Sequence, residues 1–158
     1  TYPVFIVDTE GLGAMEEDSN HDTKIFLLAI LLSSLLLYNS QGTIDENALI
    51  NLSLVVDLSK SFWIKAQWWE VDPDELSQYF PGFLWILWDF ALKLEDEKGN
   101  EISSKQYLEN GLNEQKGNSE INEKKNIVRR LIKHFFKDRD CYALVWPVED
   151  EKDIQYLD

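Results

Sequence analysis

Cysteine occurs once in the 158 residues, as Cys141, and histidine twice, as His21 and His134. A single thiol cannot form an intrachain disulfide or a four-cysteine zinc site, and it suits a reducing, cytoplasmic compartment. Two isolated imidazoles do not make a histidine-rich metal centre. Basic residues are also scarce: 15 Lys and Arg against 29 Asp and Glu leave a formal charge of -14. A surface of that sign does not track a nucleic-acid backbone, so any phosphate must be held locally, at one site. No apolar run reaches the ~20 residues needed to cross a bilayer. The longest, Ile25 to Tyr38, is interrupted by Ser33-Ser34 and reads as buried core. The chain opens on Thr1-Tyr2-Pro3-Val4 with neither a basic leader nor a small-residue cleavage site. No secretory signal is visible, and the amino terminus reads as cut from a longer chain.

What is present supports one sizeable core: 44% of residues are hydrophobic and 13% aromatic, which excludes disorder as the main state. Tyr2-Pro3-Val4-Phe5-Ile6-Val7 is a continuous β-favouring run, read as a strand buried on both faces, that stops at Asp8. Asp22 to Leu32 is long enough for three helical turns and apolar on nearly every side, so it reads as a central helix closed by Ser33-Ser34. Leu35-Leu36-Leu37-Tyr38 follows as a second strand. Thr43 and Glu46 have the spacing of a capping box, opening a helix that runs to about Lys60. Phe83-Leu84-Trp85-Ile86-Leu87-Trp88 is a third apolar strand, ending at Asp89. Ser103 and Gln106 form another capping-box pair leading into Tyr107-Leu108.

From Asn126 to Phe136 the pattern is amphipathic: Ile127, Val128, Leu131, Ile132, Phe135 and Phe136 share one face, with Arg129, Arg130 and Lys133 on a solvated face opposite. Cys141 to Trp146 reads as a fourth strand in which the cysteine is packing rather than a nucleophile. Strand and helix alternate throughout, which predicts an α/β fold with a mostly parallel sheet flanked by helices. Two strands then deliver aspartates, Asp8 and Asp89, to the rim where parallel α/β sheets bind ligands.

Asp8-Thr9-Glu10-Gly11 has the D-x-x-G form in which an aspartate holds a metal-bound water and a glycine amide approaches a terminal phosphate. Four blocks frame it in a recognisable order: Val4 to Gly13, Ile25 to Ser34, Tyr38-Asn39-Ser40-Gln41-Gly42-Thr43-Ile44, and Phe83 to Phe90. With Tyr107-Leu108-Glu109-Asn110 and the segment from Phe135-Phe136 through Cys141 to Pro147, they resemble the large GTPase domain of the guanylate-binding protein family, dynamin-related enzymes with a P-loop NTPase fold. Atlastin-type GTPases are a more distant match.

The resemblance covers nearly the whole chain. It implies that residues 1–158 are a partial G domain, from the strand of the second switch to the guanine cap, in a three-layer sandwich incomplete at its N-terminal side. It further implies that Asp8 positions Mg2+ through water, that Glu10 orders the attacking water and that Gly11 offers an amide to the γ-phosphate. Asp89 would read guanine through its N1–H and N2 amino group, with Trp88 stacking beside the nucleotide.

Three departures from the family pattern stand out. Trp88 replaces the arginine of an Arg-Asp pair, and Trp146 stands where an arginine often precedes the cap proline. Nothing matches the phosphate-binding loop G-x-x-x-x-G-K-[ST]. The family's first strand would lie between the strands at Tyr2 to Val7 and Leu35 to Tyr38, and its absence leaves strand edges unpaired. The implied function is GTP binding and hydrolysis when these residues are joined to a phosphate-loop segment, with GTP or GDP as ligand, Mg2+ as cofactor and a nucleotide-dependent homodimer as the assembly. The protein would be cytoplasmic, any membrane association residing in other parts of the chain. The alternative is a degenerate, non-catalytic relative that serves as a protein-interaction module.

Overall fold

The computed structural model describes residues 3–9, 19–52, 80–117 and 120–146. Its centre is the apolar segment expected to be a strand, here β2 (Gly82–Trp88). Phe83, Trp85 and Leu87 are buried on one face, while Leu84 and Ile86 are half-buried on the other. β2 pairs in parallel with β1 (Leu35–Gln41) on one side and with β3 (Arg139–Ala143) on the other, giving a three-stranded parallel sheet in the order β1-β2-β3. The registers set Leu36 beside Phe83, Gln41 beside Trp88 and Cys141 beside Trp85. β3 begins two residues before the expected Cys141 and ends before Trp146, because its ladder with β2 runs from the Phe83–Arg139 pair to the Leu87–Ala143 pair.

Among the described residues four helices accompany the sheet: α1 (Ser19–Leu32), α2 (Glu46–Asn51), α3 (Ser104–Gly111) and α4 (Glu120–Phe135). The expected α/β alternation is therefore present. Val128, Ile132, Phe135 and Phe136 bury the apolar stripe of α4 and its end in the same cluster as Phe83, Trp85, Leu87, Leu49, Leu52, Leu108 and Leu112. The Phe83 and Phe136 ring centroids lie 4.8 Å apart and those of Phe80 and Phe135 4.6 Å apart. Trp85 is fully buried, and its indole N–H donates to Ser40 Oγ at 2.8 Å, so a polar atom inside the core is satisfied.

Local signals in the sequence translate directly into caps. Ser103 Oγ accepts from the Gln106 amide and the Gln106 side chain accepts from the Ser103 amide, both at 3.1 Å, completing the capping box at α3. Ser33 Oγ donates to the Ala29 carbonyl at 2.6 Å and closes α1. The cap of α2 differs from expectation: Asp45 Oδ1, not Thr43, accepts from the Ala48 amide at 2.8 Å. Glu46 is drawn away from a local role by Arg129 Nη2 at 2.6 Å and Lys125 Nζ at 2.9 Å. Arg129, expected on a solvated face, is accordingly buried, and it also donates from Nε to the Gly111 carbonyl and from Nη1 to Asn126 Oδ1. A carboxylate from α2 and a carbonyl at the end of α3 thus meet the guanidinium of α4 inside the fold.

Two further expectations are corrected. Residues 3–9 carry no regular secondary structure, and Val4, Phe5, Ile6 and Val7 are exposed rather than buried in a strand; Tyr2 lies outside the described residues. A β-favouring run becomes a strand only against a ladder partner, and none of the described residues supplies one beside it. α1 is not enclosed on all sides: Phe26 and Ile30 are buried, but Leu28, Leu31 and Leu32 are exposed, as are Leu35 and Leu37 of β1. Among the described residues β1 is an edge strand, and its alternation buries Leu36 on one face while Leu35 and Leu37 lie on the open one. The expected continuation of α2 to Lys60 falls outside the described residues.

Cys141 is buried, as expected for packing, and burial first, then the neighbouring Asp140 charge, pushes its thiol up to about 12. The thiolate is the reactive species. Cys141 should therefore resist alkylation in the folded protein at pH 8 and react fully in urea, as peptide mapping by mass spectrometry would show.

Candidate functional site

In a parallel sheet every strand points the same way, so the carboxyl ends of β1 and β2 open on one rim. β1 ends at Gln41-Gly42 and β2 at Trp88-Asp89. Past the end of β1, the Gly42 amide donates to the Trp88 carbonyl at 2.7 Å, with Gly42 at φ +77, a conformation open to glycine at little cost. On the far side the Leu144 amide donates to the Leu87 carbonyl at 2.7 Å and the Phe90 amide to the Leu144 carbonyl at 2.9 Å. Phe90 is buried against Tyr107, with ring centroids 5.4 Å apart.

Asp89 sits between these anchors with φ 56, the one positive-φ residue other than glycine among the described residues. A left-handed conformation costs roughly 1–2 kcal/mol for most L-residues and is tolerated best by Asn and Asp. Hydrogen bonds at Trp88 and Phe90 hold it in place, and the half-buried Asp89 carboxylate accepts from Gln41 Nε2 at 2.9 Å. Trp88 and Trp146 are both exposed, at 39% and 42%. The rim thus offers one carboxylate held by a neighbouring strand, with an open indole from the preceding residue. Such a pair can accept hydrogen bonds from a planar donor edge and stack on a planar ring.

The family of the guanylate-binding protein N-terminal domain matches residues 1–158. The chain belongs to the guanylate-binding protein family. Guanylate-binding protein 7 of Mus musculus is 40% identical over 155 residues, covering 96% of this chain and 24% of that protein. Guanylate-binding protein 4 of Homo sapiens is 35% identical over 161 residues, or 99% of this chain and 25% of that protein. Guanylate-binding protein 1 of Chlorocebus aethiops is 39% identical over 151 residues. The chain spans about a quarter of the length of the curated relatives it matches.

Within this guanylate-binding protein chain, the structure brings Trp88 and Asp89 together on the rim and adds Gln41, which the sequence had not singled out. Asp8 lies in the stretch 3–9, outside the three-stranded ladder, and Glu10 and Gly11 lie outside the described residues. Among the described residues no three acidic, histidine or cysteine side chains cluster as a metal cage. Mg2+ ordinarily takes one or two carboxylates together with phosphate oxygens and water, and Asp8, the carboxylate expected to meet it, is exposed. No helix among the described residues is long and apolar enough to cross a membrane.

Gln41 carried a signal that could have been read. It stands three residues past the apolar run Leu35 to Tyr38 and precedes a glycine, at the position in β1 that corresponds to Trp88 once the two strands are paired in parallel. Only the strand pairing, across 48 residues of sequence, turns that position into a contact.

Proposed function

We propose that this chain supplies the base-reading and water-ordering parts of a guanine-nucleotide site, and that the full-length protein binds and hydrolyses GTP. The observation that carries the reading is Asp89: a carboxylate pinned at a parallel-sheet rim in a left-handed turn, in a chain of the guanylate-binding protein family. Its two oxygens suit the paired donors of guanine, N1–H and the N2 amino group, whereas adenine presents no such pair. The exposed Trp88 indole provides a stacking surface for the purine.

In this reading the Gly11 amide meets the γ-phosphate, Glu10 orders the water for in-line attack, and Asp8 holds water of the magnesium shell. Mg2+, when bound with the nucleotide, neutralises charge that develops on the phosphates. Trp146, exposed past the end of β3, replaces an arginine in the guanine-cap segment through which the family resemblance implies nucleotide-dependent homodimers. The single buried thiol agrees with a cytoplasmic setting.

The test is nucleotide binding and turnover by the full-length protein with Mg2+. GDP and GTP should bind in preference to the adenine nucleotides, and Glu10→Ala should lower GTP turnover by about 10²-fold while leaving nucleotide affinity within about threefold. Unchanged turnover in that variant would remove Glu10 from the mechanism. Guanine binding without any turnover would favour the non-catalytic interaction module.

A further inference from the structure

We infer that Gln41 is a positioning residue for base recognition: its side-chain amide sets the plane of the Asp89 carboxylate so that both oxygens meet one edge of guanine together. The inference rests on the reading of Asp89 as the base-recognising residue. Terminal rotation of an aspartate about χ2 is broad, so a half-buried carboxylate at a rim samples many planes unless a neighbour fixes it. A two-point acceptor works only when both oxygens lie in the plane of the base edge.

Gln41 has the placement to impose that plane. It is the last residue of β1, in register with Trp88, and the Gly42 amide extends the β1–β2 ladder by donating to the Trp88 carbonyl. Its backbone is thereby fixed beside the turn that carries Asp89. From there Nε2 donates to Asp89 Oδ2 at 2.9 Å.

The chemistry of the donor matters as much as its position. One N–H occupies one acceptor site of Oδ2, leaving a second site on that oxygen and both sites on Oδ1 for a ligand. A neutral amide also leaves the carboxylate its full charge, and bonds to a charged acceptor are the stronger ones. A second strand therefore orients the base reader without competing for it. Gln41 is exposed at the end of its strand, so replacing its side chain does not disturb the core.

The experiment compares equilibrium binding of GDP and IDP to the full-length protein, since hypoxanthine keeps N1–H but lacks the N2 amino group. In the parent protein GDP should bind more tightly. Asp89→Ala should bring the IDP-to-GDP ratio of Kd values close to one. Gln41→Met, matched in length but without a donor, should lower that ratio about fivefold with no change in melting temperature. Gln41→Asn, which keeps a neutral amide donor on a side chain one methylene shorter, should retain more of the ratio than Gln41→Met. If Asp89→Ala collapses the ratio and Gln41→Met leaves it unchanged, or weakens GDP and IDP equally, Gln41 has no positioning role and the inference is overturned while Asp89 stands. If the parent does not discriminate, or Asp89→Ala leaves the ratio intact, Asp89 does not read the base and both readings fall.

Discussion

Asp89→Asn should weaken guanine-nucleotide binding by about 10²-fold, from the loss of charge-assisted hydrogen bonds worth roughly 1.5–3 kcal/mol each. The same variant should gain affinity for xanthine nucleotides. A carboxylate accepts from both N1–H and the N2 amino group of guanine, whereas a carboxamide accepts with its oxygen and donates with its nitrogen. Xanthine presents that second pattern, with a carbonyl in place of the amino group. The substitution is well suited to separate recognition from folding, because Asn tolerates the left-handed conformation found at position 89 (φ 56). Titration of GDP and XDP against the full-length protein measures both changes. Equal loss for the two nucleotides would show that Asp89 acts on the rim's shape rather than on the base.

Glu46→Ala should destabilise the packing of α2 on α4 by about 2–3 kcal/mol. Removing one partner of a buried ion pair costs roughly 3–5 kcal/mol, mostly because the remaining charge stays buried without its counterion. Arg129 is only 2% exposed at its side chain, while the Glu46 side chain is 34% exposed. Water at Glu46 brings the figure down, and Arg129 retains its bonds to the Gly111 carbonyl and Asn126 Oδ1. Hydrogen exchange of the α2 and α4 peptides in the full-length protein reads the loss locally. Adding Arg129→Met to Glu46→Ala should recover part of it, because the stranded charge is then gone.

The same pair gives a pH dependence. Burial alone would raise the Glu46 carboxyl, but Lys125 and Arg129 outweigh it and hold the group below its ordinary value of 4.5. The folded chain then binds fewer protons at Glu46 than the unfolded chain in the window just below that value. The contribution to stability is therefore fully present above about pH 4.5 and is lost as pH falls through the depressed folded value. Protection of α2 and α4 should decline across that acid window in the parent and stay flat in Glu46→Ala.

The contrast between Arg129 and Ser103 shows how far the sequence can be read. Ser103 and Gln106 are three residues apart, so their reciprocal bonds follow from local spacing. Arg129 falls on the polar side of a helical periodicity, and a periodicity has no means of representing Glu46, 83 residues away, arriving to pair with it. Thr43 illustrates the related case of competition: Asp45 lies nearer the first turn and takes the cap, and Glu46 is committed to Arg129 and Lys125. The β2 segment was legible because an apolar run between turn signals has few alternatives, and Val4 to Val7 was overread because the same composition needs a neighbour before it becomes a strand. At the rim, Asp89 was singled out through its position after a strand and its family resemblance. Gln41 became visible only when parallel pairing set it beside Trp88.

The left-handed turn at position 89 also filters the variants that mutational drift can sample. Of the residues reachable there, glycine, asparagine and aspartate meet the backbone's demand with little penalty, whereas β-branched side chains carry strain. On the proposed reading of Asp89, glycine would erase base recognition and asparagine would redirect it, and both suit the backbone held by the neighbouring bonds at Trp88 and Phe90. On that reading, nucleotide choice can diverge by a single substitution at position 89 without strain in the turn that carries it.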